Sequence, residues 1–258
     1  RAEQEAFLRC AFTLGSGAEM ADKIMGRMSS YLPRLGVNQA SIPLIESSYH
    51  ELLALLEAHF REMPYLLGWR PSIADYGLIA PMFAHLGRDP VPLAVMQQRA
   101  PRVHRWVERM TAPGLDVVEY PQHDPGFVAD DALPATLEAV LQHIAGEIFP
   151  ELTDKLAFLQ SWLDEHQPAD RAPVSERPQI RQVGMVQTQF RGADIEVGVE
   201  PYLLYVLQRA SAVMQAQPAE RQQALSARLA RLGLADALPK PGAYRVGRRD
   251  NLECWLKV

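Results

Sequence analysis

The chain has little cysteine, with only Cys10 and Cys254 among its 258 residues. Two cysteines so far apart in sequence provide neither a disulfide framework nor the close ligand spacing of a structural zinc site. The seven histidines form no His-x-His or His-x-x-x-His pair, so we expect no metal site. A reducing, cytoplasmic setting is the simplest expectation for such a protein.

Clustered positive charge and long apolar runs are also missing. The net charge is −5, and only four of the 26 basic residues are lysines. The one dense basic cluster is Arg245, Arg248 and Arg249, for which we expect surface ion pairs, with an anion site as the alternative. Because nucleic-acid binding requires many clustered cations and a membrane span requires about 20 apolar residues in a row, we expect neither nucleic acid nor membrane as a partner.

Hydrophobic residues are plentiful, at 48% of the chain, enough for one large or two medium domains. Their spacing predicts mainly helix. The sequence between Arg88 and Pro92 predicts a turn, and Pro150 should bend or end the helix that contains it. The predicted helices cover residues 2–14, 17–32, 41–63, 72–86, 100–110, 134–150, 151–163, 201–214 and 219–232.

The apolar period changes from helical spacing to two near Val186. Apolar residues alternate with polar ones over residues 186–190 and 195–199, on either side of a turn that contains Gly192. This pattern predicts a β-hairpin, and residues 244–246 and 252–256 predict a second pair of strands. The expected fold is therefore mainly α, with a C-terminal α+β extension that contains a small antiparallel hairpin or sheet.

The sequence Ser72-Ile73-Ala74-Asp75 contains the signals of a helix N-terminus. The Ser72 hydroxyl can accept from the backbone N–H of Asp75 while the Asp75 carboxylate accepts from the N–H of Ser72, which is a capping box with Asp in the place of Glu. No Asp, Glu, Lys or Arg follows until Arg88. We therefore expect a central core helix, packed on most of its circumference and closed by Gly87 as its C-cap.

This capped apolar helix, followed by the Pro-started segment Ala100-Pro101-Arg102-Val103-His104-Arg105-Trp106, resembles the all-helical C-terminal domain of the glutathione transferase family. In that family the capped helix is the core helix of the domain. The resemblance implies a helical bundle over residues 1–115. We expect a helical connection and linker at 116–178, and an extension with hairpin, helices and short strands at 179–258.

The resemblance also implies that glutathione binding and electrophile selection belong to different domains. Glutathione and its activating residue belong to the family's thioredoxin-like domain, for which this sequence has no matching motif. Because the chain begins at Arg1 inside a predicted helix, we expect a truncated or processed product that binds no cofactor by itself, although glutathione is implied for the full-length family. We expect the chain alone to be inactive.

Four residues are similar to the part of the family's first C-terminal helix that lines the pocket for a small apolar electrophile: Met20, Met25, Met28 and Tyr31. The methionine thioether adapts to ligands of different shape, and the Tyr31 phenol could donate to developing charge. Ordinary helix packing is the alternative explanation for all four residues, and the one that such a stripe usually has.

Two other functions are compatible with the same helical fold. One is a non-catalytic protein–protein interaction module that uses the C-terminal extension as its docking surface, with a homodimer as one form of assembly. The other is a carrier of apolar ligands. The sequence does not choose between these hypotheses.

Overall fold

The computed structural model describes residues 2–112, 114, 119–120, 126–175, 181–240 and 242–258. Within these ranges the chain forms helices and two antiparallel hairpins, so the expected mainly-α fold with an α+β C-terminal part is confirmed. The helices are α1 Ala2–Ser16, α2 Ala18–Tyr31, α3 Ser41–His59, α4 Ile73–Ala84, α5 Pro90–Arg99, α6 Pro101–Thr111, α7 Ala135–His166, α8 Tyr202–Gln215 and α9 Ala219–Arg231. The hairpins pair β1 Gly184–Phe190 with β2 Ala193–Val199, and β3 Tyr244–Arg249 with β4 Leu252–Lys257.

The chain divides into two compact units that interleave along the sequence. The first unit contains residues 1–30 and 45–143, and the second contains residues 31–44 and 144–258. These units cut across the segments 1–115, 116–178 and 179–258 that the sequence suggests. Whether those three segments are independent domains stays a prediction.

The first unit is an all-helical bundle built around α6. Helix α6 packs against both α4 and α5, and α1 packs against α5. Its core includes Trp106, which is fully buried and stacks on Phe60 just beyond α3, with ring centroids 5.2 Å apart. The break between α1 and α2 falls at Gly17, whose φ of 81° suits glycine, as the Gly15-Ser16-Gly17 sequence indicates.

The second unit has its own core, which joins the C-terminal part of α7 to β2 of the first hairpin and to both strands of the second hairpin. Trp255 of β4 is buried there and stacks on Trp162 of α7, with centroids 5.4 Å apart. Each hairpin has a two-residue turn with positive φ at both positions, the geometry that matches the twist of the adjoining strands. The residues buried in this core are Leu159, Leu163, Val174, Val199, Val246 and Trp255.

Two local expectations are wrong, those for the turn at Pro90 and for the Gly87 cap, and a third changes in part, because Pro150 does not end its helix. Pro90 and Pro92 open α5 instead of forming a turn, because the first turn of a helix has no intrahelical partner for their missing N–H groups. Helix α7 continues through Pro150. Helix α4 ends at Ala84 with His85 as its C-cap, whereas a Cβ on Gly87 would lie 2.7 Å from the Met82 carbonyl oxygen, so Gly87 permits a close backbone approach.

We expect Trp255→Ala to lower the free energy of unfolding by about 3–5 kcal/mol, because it removes a fully buried ring and leaves a cavity beside Trp162. Chemical denaturation followed by circular dichroism measures this loss. Leu252→Ala, on the same strand but exposed, is the matched control and should cost far less. Similar losses for the two variants would mean that the core lies elsewhere.

Candidate functional site

The carboxylate of Asp75 is the most heavily hydrogen-bonded group at the start of α4. Asp75 is fully buried, and it forms a capping box with Ser72, the N-cap residue of α4. Its Oδ2 accepts from the Ser72 backbone N–H at 2.8 Å and from the Ser72 hydroxyl at 2.7 Å. Its Oδ1 accepts from the Leu66 backbone N–H and from the Trp106 indole Nε1–H, both at 3.0 Å.

These four donors give Asp75 a role beyond capping. A buried carboxylate is costly unless hydrogen bonds replace its lost water, and here the donors come from the N-cap of α4, from the segment before it and from α6. Asp75 therefore fixes the start of α4 against the centre of the bundle. The sequence indicates the Ser72 bond, but nothing in its local pattern indicates that Trp106, 31 residues further on, supplies a donor.

A second carboxylate holds the start of α6. Glu57 of α3 accepts from the Arg102 backbone N–H at 2.8 Å and from the Val103 N–H at 3.3 Å, and it also pairs with the Arg102 guanidinium at 2.8 Å. Negative charge is favourable at a helix N-terminus. Sequence reasoning missed Glu57, because its partners lie 45 residues away and the apolar stripe of α3 gives no sign of them.

His59, at the end of α3, is a fully buried histidine in the same unit. Its Nε2 lies 3.3 Å from the Tyr65 carbonyl oxygen and its Nδ1 lies 3.0 Å from the Thr136 hydroxyl. A carbonyl can only accept, so the ring carries its proton on Nε2. Burial, the largest cause, lowers the pKa of His59 from its ordinary value of 6.5, against the raising effect of the Tyr65 carbonyl.

The outer face of α4 is exposed to solvent, which corrects the expectation of a helix packed on most of its circumference. Ile73 is 89% exposed, Tyr76 62% and Phe83 38%, while only Asp75 and Met82 of this helix are buried. The exposed residues follow helical spacing, so they share one side of α4. The lack of charge after Asp75 therefore reflects an exposed apolar face, which we call the α4 face and define by Ile73, Tyr76 and Phe83.

The residues expected to line a substrate pocket lie along α2. Met20, Met28 and Tyr31 are exposed, Met25 is half-buried, and only Ala21 of this helix is buried. Helical spacing places Met20 and Met28 on one side of α2, with Met25 offset from them. Their part in substrate binding stays a prediction.

Both cysteines are free thiols, Cys10 exposed and Cys254 buried. None of the described helices combines the length and the apolar character needed to cross a membrane.

The three arginines of the basic cluster differ in their partners. Arg248 pairs with Glu253 at 3.5 Å and Arg249 with Asp250 at 3.6 Å, whereas Arg245 pairs with no described residue. The expectation of surface ion pairs therefore fails for Arg245.

We expect Asp75→Ala to destabilise the chain by at least about 3 kcal/mol, since the N–H groups of Leu66, Ser72 and Trp106 lose their acceptor and each unsatisfied donor costs about 1–3 kcal/mol. Ser72→Ala should cost about 0.5–2 kcal/mol, the usual worth of an N-cap. Urea unfolding followed by circular dichroism compares them. Asp89→Ala is the control, because Asp89 is the N-cap of α5 but makes no capping hydrogen bond. Equal losses for Asp75→Ala and Asp89→Ala would contradict the central role of Asp75.

The lowered pKa of His59 predicts a loss of stability in mild acid. The folded protein binds this proton less readily than the unfolded chain, so the contribution is fully present above pH 6.5 and is lost as the pH falls towards the folded pKa. The effect can reach about 1.4 kcal/mol per pH unit. Unfolding free energies between pH 7 and pH 5 should fall less steeply in His59→Gln than in the parent chain. His85→Gln, at an exposed position, should keep the parent slope, and an unchanged slope in His59→Gln would refute the assignment.

Comparison with known proteins agrees with this geometry. A family model described as the C-terminal domain of glutathione S-transferase matches residues 39–109. The matched segment contains α3, α4, α5 and most of α6, and with them Glu57, Ser72, Asp75 and Trp106. No curated protein and no solved structure matches the chain. Residues 39–109 are therefore similar to the C-terminal domain of glutathione transferases, which agrees with the resemblance seen in the sequence.

Proposed function

We propose that this chain is the helical, substrate-selecting part of a glutathione transferase-like protein and that it needs a thioredoxin-like domain for activity. The observation that carries the proposal is the α4 face. It lies within the matched segment, on a helix whose start is held firmly by Asp75. Contiguous apolar surface that a well-packed protein leaves exposed commonly marks an interaction site.

The chemistry would be divided between the two parts. The thioredoxin-like domain would bind glutathione and activate its thiol, and the helices described above would select the electrophile. Met20, Met25, Met28 and Tyr31 are our candidates for that selection. Three of the four are exposed in the chain alone, so they are accessible to a ligand or to a partner domain.

The alternative is a non-catalytic interaction module. It is favoured by the same observation, because the α4 face would equally suit a protein partner or a second copy of the chain. Like the first proposal, it places the protein in the cytoplasm, in keeping with two free thiols.

Glutathione conjugation to a chromogenic electrophile tests the first proposal. We expect no turnover by the chain alone and measurable turnover when a thioredoxin-like, glutathione-binding domain is fused ahead of Arg1. Phe83→Glu in the fusion should lower turnover at least tenfold, because it buries a charge in the contact between the domains. Leu14→Glu, at an exposed apolar position of α1, is the matched control and should change turnover less than twofold.

Three outcomes would count against this account. Turnover by the chain alone would contradict the need for a second domain. A folded but inactive fusion would remove the transferase hypothesis and leave the interaction module. If sedimentation shows a dimer of the chain alone that Phe83→Glu dissociates, the α4 face belongs to a second copy.

A further inference from the structure

A cleft of about 210 Å³ lies in the second unit, outside the segment that matches the transferase family. Its walls come from α8, from β3 and from the three residues Pro239, Lys240 and Gly242. Three of its lining residues are cations, Arg209, Lys240 and Arg245, and none of the described residues that line it carries a carboxylate. Three positive side chains from separate elements therefore converge on one small volume.

None of these three cations forms an ion pair with a residue that the structure describes. Other arginines of the chain do find carboxylates: Arg102 pairs with Glu57 at 2.8 Å and Arg109 with Glu119 at 2.6 Å. The chain is acidic overall, with 31 Asp and Glu residues, so carboxylates are available. Their exclusion from this cleft leaves like charges that repel one another.

Side-chain hydrogen bonds connect the elements that form the cleft. The side-chain amide of Gln208 donates to the Val246 carbonyl and its oxygen accepts from the Val246 N–H at 3.2 Å, which joins α8 to β3. The Ser211 hydroxyl donates to the Pro239 carbonyl at 3.2 Å, which joins α8 to the third wall. Cations carried on connected elements remain close to one another, and a site of this kind binds ions more tightly than a flexible one.

We propose that this cleft binds a small dianion, of the phosphate monoester or dicarboxylate type. Two arginines offer paired N–H donors that match either group, and the lysine adds a point charge. An anion would relieve the repulsion among Arg209, Lys240 and Arg245. The cleft is small enough to hold the charged group of a ligand while the rest of the ligand extends into solvent.

Single-stranded nucleic acid is the competing ligand, because tyrosines lie close by. Bases bind such surfaces by stacking on open aromatic faces. Here Tyr202 and Tyr205 stack on each other at 5.8 Å, Arg248 lies over both rings, and Arg209 lies over Tyr205 at 5.9 Å. The neighbouring rings are already covered by arginine, so a small anion fits the cleft better than a nucleic-acid strand.

Isothermal titration calorimetry of the full chain with inorganic phosphate and with malonate tests the proposal, with sodium chloride at equal ionic strength as the baseline. We expect saturable binding of at least one of the two, and the one that binds identifies the class. Arg245→Gln and Lys240→Gln should each weaken binding at least fivefold. Arg249→Gln, on the same strand but paired with Asp250, should change it less than twofold.

Binding no stronger than that of chloride would overturn the proposal, as would equal losses in Arg249→Gln and Arg245→Gln. Saturable binding of a short oligothymidine without binding of either small anion would assign the surface to nucleic acid instead. All three substituted side chains are exposed, so the variants should fold, and circular dichroism melting verifies this. The calorimetric test does not depend on transferase activity, so its outcome is separate from that of the proposed function.

Discussion

The buried carboxylate of Asp75 is the interaction on which the helical unit depends. It gathers donors from the start of α4, from Leu66 and from the Trp106 indole. Because a buried carboxylate is stable only when its oxygens are hydrogen-bonded, α4 and α6 must keep this relative position. Glu57 adds a second link, from α3 to the start of α6. The unit is thus held by two acidic side chains in addition to its apolar core.

This arrangement explains how α4 can have a fixed position although most of its surface is exposed to solvent. The start of α4 is fixed from the inside through Asp75, while Ile73, Tyr76 and Phe83 remain on the outside. A partner that covers this surface would gain apolar burial without having to order the helix first. The proposed function uses that property: the helical unit would be a preformed binding surface, and the domain that packs on it would supply the chemistry of the thiol.

Features that depend on neighbours in sequence could be predicted. The capping box, the break at Gly17 and both hairpins with their short turns are of this kind. Features that depend on distant residues could not: the indole of Trp106 on Asp75 and the Glu57 link arise from tertiary contacts, and only the fold shows that Arg245 has no ion-pair partner among the described residues. The α4 face shows the same limit, since an uncharged apolar helix has the same pattern whether it lies in a core or awaits a partner. Prolines 90 and 92 were ambiguous for a different reason, because a helix start and a turn both favour proline.

Hydrogen exchange of the Trp106 indole, followed by NMR, tests the central claim most directly. If the Nε1–H is donated to the buried Asp75 carboxylate, it should exchange only on global unfolding of the helical unit, with protection that matches the free energy of unfolding. Exchange of this proton within minutes, under conditions where the core amides of α6 stay protected, would contradict the account.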